Sequence, residues 1–292
     1  MSAPRSALAR RSARNAERRN AKALASMPAG FVVYRGPSLI DGAPIVVIVN
    51  TITSSANAKI GRMAQVWFIR ADVAPNVAIK SGRDVAVCGG CPFAGDNGCF
   101  VDMRPLMSVW HAFERGSYKD ATPEQVGELI ALAFNMGKND GIRLGAYGDP
   151  AAAPFEVLEA LVGPVKAMGA ATTGYTHAWG GYSAPGHVAD PRLPSLVMAS
   201  GHTAADERAA RAAGYRSFIS QPTPAPIAAT AACPASAEAG KRKTCSECGA
   251  CNGMRSMLDK RASMRIAVHG SAYKVARSIA AIRRVEAQQA AR

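Results

Sequence analysis

Seven cysteines constrain the fold and chemistry of this 292-residue chain more than any other feature. They fall into a group of three and a group of four: Cys88, Cys91 and Cys99, then Cys233, Cys245, Cys248 and Cys251. An odd number of cysteines cannot pair completely within one chain. The sequence shows no secretory signal pattern, so we expect a cytoplasmic protein whose clustered thiols bind metal rather than form disulfides.

The four-cysteine group has the spacing C-x11-C-x2-C-x2-C, and its first cysteine precedes Pro234. Three thiolates at two-residue gaps plus a remote Cys-Pro form a typical ligand set for a [4Fe–4S] cluster. A zinc site is the alternative, because His269 could replace Cys233 and complete a Cys3His set. The spacing therefore predicts a metal centre, with iron–sulfur favoured over zinc.

The three-cysteine group has the spacing C-x2-C-x7-C. Three thiolates can hold a four-iron cluster and leave one iron open to a small molecule. A closed zinc site would need a fourth ligand, for which the candidates are His111, Asp96, Asp102 or a cysteine of the other group. A third interpretation is a set of buried thiols that only stabilises a loop.

Alternating strand and helix patterns with short glycine-containing links predict an α/β fold with a parallel sheet. We expect a partial or complete (β/α) barrel with an N-terminal β extension, and a flat doubly wound sheet is the alternative. The predicted strands cover 31–34, 45–49, 66–69, 84–87, 142–147, 172–179, 196–200, 215–220 and 264–268. The predicted helices cover 105–115, 123–136, 154–168 and 204–213. One domain, 29–272, would lie between a flexible basic arm, 1–28, and a basic helix, 273–292.

The net charge of +14 is concentrated at the two ends of the chain. Residues 1–28 carry seven basic groups against one acidic group, and residues 273–292 carry five against one. Such ends predict nucleic acid as a partner, although solvated tails or an organellar transit peptide are alternatives. The apolar run 45–49 is far shorter than the roughly 18 residues of a membrane span, so no membrane association is expected.

Polar residues follow several predicted strands, where ligands of parallel sheets usually bind. We predict catalytic roles for Asp149, Tyr175 and His177. Gly148, Asp149, Thr176 and His202 are the candidate cofactor-binding residues. The alternatives are that Asp149, which precedes a proline, caps a helix, and that the histidines are ordinary loop residues.

Several short motifs resemble an uncharacterised family carried by bacterial phages and plasmids, which is related to the phage "gene product 88" family. They are Asn57–Gly61, Val87–Pro92, Gly98–Phe100, Gly174–Trp179 and Thr244–Cys251. The resemblance covers roughly residues 30–270. It implies a lineage but no reaction.

A more distant likeness is to radical S-adenosylmethionine enzymes, which carry three cysteines after the first strand of a partial barrel. That likeness implies that Cys88, Cys91 and Cys99, with Phe100 beside them, hold an open cluster. It also implies that Gly148 and Asp149 receive the amino group of S-adenosylmethionine. Those enzymes usually show C-x3-C-x2-C, which differs from the spacing here.

The tRNA-guanine transglycosylase barrel offers another likeness. It implies a zinc ion held by Cys245, Cys248, Cys251 and His269, and a base-exchange reaction. The first prediction from the sequence is thus a cluster-binding protein, with or without radical chemistry on a nucleic acid or nucleotide. A non-catalytic, metal-stabilised nucleic-acid-binding protein is the second, and a zinc base-exchange enzyme is the third.

Overall fold

The fold is taken from a computed structural model that describes residues 7–53, 57–222, 227, 231–236, 239–240, 242–256 and 258–291. β-Branched and aromatic runs form its strands, because such side chains pack well against neighbouring strands. The strands are β1 (Gly30–Pro37), β2 (Pro44–Asn50), β3 (Met63–Arg70), β4 (Lys119–Asp120), β5 (Gly141–Tyr147), β6 (Ala171–Thr176), β7 (Met198–Gly201), β8 (Ser217–Gln221) and β9 (Met264–Ala267).

These nine strands of the described residues form one sheet in the order β4-β1-β2-β3-β5-β6-β7-β8-β9. The β1–β2 and β2–β3 pairs are antiparallel, and every other pair is parallel. The predicted α/β class with a mostly parallel sheet is therefore confirmed. From β3 onward the strand order follows the chain without the reversal that a doubly wound sheet requires. This consecutive order is shared by partial (β/α) barrels and by open sheets wound in one direction.

Helices connect the parallel strands, since a parallel pair needs a long crossover. They are α1 (Ala7–Ala25), α2 (Pro75–Ser81), α3 (Val85–Cys88), α4 (Met103–Glu114), α5 (Pro123–Asn135), α6 (Phe155–Ala167), α7 (Ala204–Ala212), α8 (Cys245–Cys248) and α9 (Ala272–Ala290). Thr122 begins α5 with a reciprocal capping box to Gln125, as its position before a proline suggests. None of the helices among the described residues combines the length and apolar character that a membrane crossing requires.

The predicted strand 84–87 is wrong, because its last three residues belong to the one-turn helix α3. A run of four residues is too short for periodicity to separate a strand from a helical turn. Here the backbone carbonyl of Asp84 accepts hydrogen bonds from Val87 N and Cys88 N, which closes the turn. The predicted strand 172–179 also ends early, at Thr176, where the chain leaves the sheet.

The core lies around β2 and β3, where the side chains of 45–49 and Phe68 are fully buried. A smaller apolar cluster joins α9 to the three-cysteine segment through Phe93, Ala281 and Ile282. The basic C-terminal helix α9 therefore packs on the body of the protein. The N-terminal helix α1 buries Leu24, whereas its described basic side chains, from Arg11 to Lys22, are exposed.

Candidate metal centre

The three-cysteine group begins where α3 ends. Cys88 is the last residue of α3, and the amide of Cys91 donates to the Cys88 carbonyl at 3.2 Å, which makes a tight turn. The amide of Gly90, inside that turn, donates to the carbonyl of Tyr182 at 3.0 Å. A Cβ on Gly90 would lie 2.6 Å from the same carbonyl oxygen, so the turn requires glycine. The turn places Cys88 and Cys91 close together.

Helix α9 fixes the rest of the three-cysteine loop. Ser278 Oγ donates to the Gly98 carbonyl at 3.0 Å, and Lys274 Nζ donates to the Val101 carbonyl at 2.8 Å. Gly98 has φ of +95°, and a Cβ there would lie 2.5 Å from Ser278 Oγ. Arg277 forms an ion pair with Asp96 at 2.7 Å. The loop around Cys99 is therefore positioned by the C-terminal helix, a contact that the sequence does not predict.

The four-cysteine group is built on α8, a single helical turn. Thr244 caps it through a reciprocal capping box with Glu247, and Gly249 ends it in the left-handed conformation at φ +59°. The amide of Cys245 donates to the carbonyl of Lys59 at 2.9 Å. This turn holds Cys245 and Cys248 at the two ends of one helical turn.

Arg216 anchors the backbone that follows Cys248. Its side chain, 2% exposed, donates to the carbonyls of Ala250 and Ala262 at 2.8 Å each. Longer hydrogen bonds reach the carbonyls of Gly253 and Arg261. A buried guanidinium thus satisfies four carbonyl groups of the segment that carries Cys251.

Both cysteine groups line one cavity of about 250 Å³. Its wall includes all three cysteines of the first group together with Cys233 and Cys245 of the second. Side chains at alternate positions of β5 and β6 complete it: Arg143, Gly145, Tyr147, Thr173 and Tyr175. Alternate residues of a strand face one side of a sheet, so a single face of the sheet borders the cavity.

Burial and mutual repulsion keep these thiols protonated in the absence of a cation. Burial, and then the charge of neighbouring thiols, raises the pKa values of Cys88 and Cys91, and burial raises that of Cys99. In the second group, burial raises the pKa of Cys245, and it raises that of Cys251 to about 12. The members of each group therefore lie close enough to interact electrostatically.

Cysteine thiols are the donors that iron–sulfur clusters take from a protein. The described residues contain no ready-made group of three or more His, Cys, Asp or Glu side chains arranged around a single metal ion. The buried hydroxyl of Tyr147 lies beside the Cys88 thiol and has no oxygen or nitrogen partner in the described part of the chain. The two groups therefore supply the residue type of cluster ligands, with the Tyr147 hydroxyl beside one of them.

Asp149 lines the cavity immediately after β5, and it also caps a 3₁₀ turn. Its Oδ1 accepts from Ala151 N at 2.9 Å, and its Oδ2 accepts from His177 N at 2.7 Å. Thr176 is fully buried and also hydrogen-bonds the carboxylate. Burial raises the pKa of Asp149. Thr176 therefore supports Asp149, whereas Gly148 and Asp149 themselves border the cavity.

His177 lies in the cavity wall, with its Nε2 3.6 Å from the sulfur of Cys91. His202 stacks on His177 with 5.6 Å between ring centroids and is 2% exposed. Burial lowers the pKa of His177 to about 3 and that of His202 to about 4. His202 is not among the described cavity-lining residues, and neither of its ring nitrogens has a hydrogen-bond partner of good geometry there. His202 therefore packs against the ring of His177 without lining the cavity itself.

Tyr175 also lies in the cavity wall, and its hydroxyl hydrogen-bonds the thiol of Cys251. Burial is the main cause that raises the pKa of Tyr175 far above its ordinary value. A hydroxyl held as a donor to sulfur stabilises the thiolate form of Cys251. The structure thus associates Tyr175 with the four-cysteine group and His177 with the three-cysteine group.

Three of the candidate fourth ligands of the three-cysteine group are engaged elsewhere, whereas Cys233 and Cys245 of the other group line the same cavity. His111 is exposed on α4 and pairs with Glu114, and Asp102 caps α4. Asp96 accepts from α9. His269 lines the cavity, with Nε2 3.5 Å from Lys59 Nζ and its ring stacked on Phe100.

The sequence patterns assign no role to three basic residues of the site. Lys59 and Arg143 line the cavity, and Arg216 anchors the four-cysteine segment. The role of Arg143 could have been inferred from its strand, because it lies two and four residues before Gly145 and Tyr147 on one strand face. Lys59 lies within Asn57–Gly61, one of the motifs of the family resemblance, but that motif implies no role for it. Nothing in the local sequence marks Arg216, because its role depends on contacts with a distant segment.

Comparisons with known proteins give no counterpart for this arrangement. No protein-family model, no curated protein and no solved structure matches the chain. The function is therefore inferred from the chemistry of the residues themselves.

Acidification tests the buried state of His202. Its pKa of about 4 lies below the ordinary value near 6.5, so the unfolded chain binds its proton first. We expect a stability penalty that is absent above pH 6.5 and grows to roughly 3 kcal/mol as the pH falls to 4. Denaturant unfolding between pH 7 and 4 measures it, and His202→Phe should flatten the pH dependence. The exposed His111→Gln is the control, and an equal flattening by both variants would contradict the prediction.

Proposed function

We propose that the chain is a cytoplasmic iron–sulfur protein with two [4Fe–4S] clusters on one cavity. Cys88, Cys91 and Cys99 would hold the first cluster, with one iron open to the cavity. The second would be closed, with one ligand from each cysteine of the other group: Cys233, Cys245, Cys248 and Cys251. The observation that carries the proposal is that thiols of both groups line the same cavity.

The strand order supports a partial (β/α) barrel around that cavity. Residues from β5, β6, β8 and β9 all contribute to its wall, as expected when a consecutive parallel sheet curls around a site. The first cysteine group follows β3, which is the first of the consecutive parallel strands, and Gly148 and Asp149 follow the next one, β5. This succession matches the likeness to radical S-adenosylmethionine enzymes and favours that cofactor as the small molecule at the open iron.

When bound, such a cluster would pass one electron from an external donor to S-adenosylmethionine, which starts radical chemistry. The residues of the chain would position the cofactor. Asp149 would receive its cationic amino group, because its carboxylate borders the cavity together with the first cysteine group. His177 would remain neutral beside Cys91, since burial lowers its pKa to about 3. The apolar wall would keep water from the reacting atoms.

Metal and sulfide analysis after anaerobic purification tests the proposal. We expect brown protein with about eight irons per chain, of which about four belong to each group. The variant C88S/C91S/C99S and the variant C245S/C248S/C251S should each retain about four irons. Each variant is the matched control for the other, because both exchange three thiols for hydroxyls.

Two results would contradict the proposal. Colourless protein with stoichiometric zinc would favour the zinc base-exchange enzyme or a zinc-stabilised binding protein. Loss of all iron from both variants, with native circular dichroism, would mean that the two groups share one centre. Absorption and EPR spectra of the reduced protein distinguish these cases from simple misfolding.

A further inference from the structure

A second cavity of about 490 Å³ adjoins the cysteine-lined cavity, and we call it the antechamber. The two cavities share Lys59, Ile266 and His269 in their walls. Arg242 and Lys243 line the antechamber but not the cysteine-lined cavity. A ligand that enters through the antechamber therefore passes three cationic side chains before it reaches the cysteine groups.

The acidic groups in these walls only partly neutralise the cations. Glu247 is the one described acidic residue lining the antechamber, and its carboxylate accepts from the amide and the hydroxyl of Thr244. Those hydrogen bonds, with a smaller contribution from Lys243, lower the pKa of Glu247, so its single negative charge offsets one of the three cations. Asp149 lines the inner cavity and not the antechamber. The antechamber therefore carries a surplus of positive charge.

The three basic side chains of the antechamber are not held by carboxylates of the described residues. None of Lys59, Arg242 or Lys243 forms an ion pair with a carboxylate in the described part of the chain. Arg143 continues the positive charge into the inner cavity. Three unpaired cations on one concave surface attract an anion more strongly than the same charges spread over a convex surface.

We propose that the antechamber binds a phosphate group of the substrate, with Lys59, Arg242 and Lys243 as its ligands. This inference rests on the proposed function, because it makes the ligand of the cysteine-lined cavity a phosphate-bearing molecule. The phosphate group would thus bind in the antechamber, beside the cysteine-lined cavity, rather than at the basic ends of the chain. Nucleotides and single-stranded nucleic acids share this chemistry, and the experiment distinguishes them.

The test compares two triple variants of the full-length, anaerobically purified protein. K59Q/R242Q/K243Q removes the antechamber charge, and R11Q/R14Q/R18Q removes the same charge from α1. The probes are thymidine, thymidine monophosphate and a fluorescent single-stranded oligonucleotide, each titrated at several salt concentrations. Iron content, circular dichroism and the cluster midpoint potential are measured on the same samples.

We expect the antechamber variant to lose at least tenfold in affinity for phosphate-bearing probes, while the α1 variant binds as the parent does. For the oligonucleotide, removing three phosphate contacts should reduce the salt-dependence slope by about 2. A selective loss of affinity for thymidine monophosphate identifies a nucleotide ligand. Weakening of the oligonucleotide alone identifies a strand, and either result supports the proposal.

Four results would overturn the inference. One is thymidine binding as tightly as its monophosphate, and another is loss of binding only in the α1 variant. The third is a shifted midpoint potential with unchanged phosphate binding, which would mean that the charges serve the cluster. Protein that contains its iron but binds no phosphate probe would reject this inference and leave the proposed function standing. Protein without iron would reject the proposed function, and the binding assay would still decide the antechamber.

Discussion

Arg216→Met should destabilise the protein by about 3–5 kcal/mol and empty the four-cysteine group of its metal. The methionine has nearly the length of the lost side chain but donates no hydrogen bond. The carbonyls of Ala250, Arg261 and Ala262 would then lose the guanidinium donor, and that of Gly253 would keep only its hydrogen bond from Arg261. Because Cys251 lies between two of them, its thiol would no longer be held in position. Thermal unfolding and iron analysis measure the two effects.

The pattern of iron loss separates a local effect from global unfolding. We expect about four irons to remain in Arg216→Met, held by the three-cysteine group, and an intermediate loss of stability in Arg216→Lys, which retains the charge but not the fork of donors. Arg192→Met is the control, because its ion pairs with Glu156 and Asp190 are exposed to solvent and should contribute little to stability. Full iron in Arg216→Met would show that this arginine does not position the cysteine segment.

Much of the sheet follows from local patterns in the sequence. The strands β5, β8 and β9 lie within one or two residues of their predicted positions, because apolar runs there end at glycine or polar turns. The prediction of a strand over 84–87 was wrong, because a short apolar run can form the hydrogen bonds of a helical turn as well as those of a strand. Nor does a local pattern indicate that α9 packs on the three-cysteine loop, because that contact joins Gly98 to Ser278, 180 positions apart.

The site itself is only partly readable from the sequence. Cysteine spacing identifies the two groups, because ligands of one centre lie close together along the chain. The shared cavity depends instead on strand order, which places the ends of β5 and β6 beside both groups. His177 illustrates the limit, because its contact with Cys91 joins residues 86 positions apart. The sequence pattern indicates His177 as a candidate but does not indicate its partner.

Loss of the three-cysteine group should abolish the response of the reduced protein to S-adenosylmethionine. In C88S/C91S/C99S, we expect the cofactor to leave the EPR spectrum unchanged, whereas in C245S/C248S/C251S it should perturb the spectrum as it does in the parent. The physical reason is the number of protein ligands. Four thiolates would occupy every iron of the proposed second cluster, whereas three would leave one iron of the proposed first cluster without a protein ligand.

The two triple variants also decide what the cavity is for. A response that persists without Cys88, Cys91 and Cys99 would mean that S-adenosylmethionine does not meet the first group. No response in the fully loaded parent would remove radical chemistry and favour a binding protein whose clusters are structural. Equilibrium dialysis on the same samples measures the affinity for S-adenosylmethionine. Affinity lost together with the EPR response identifies the open iron as the binding site, because the two cysteine groups share one cavity but differ by a single ligand.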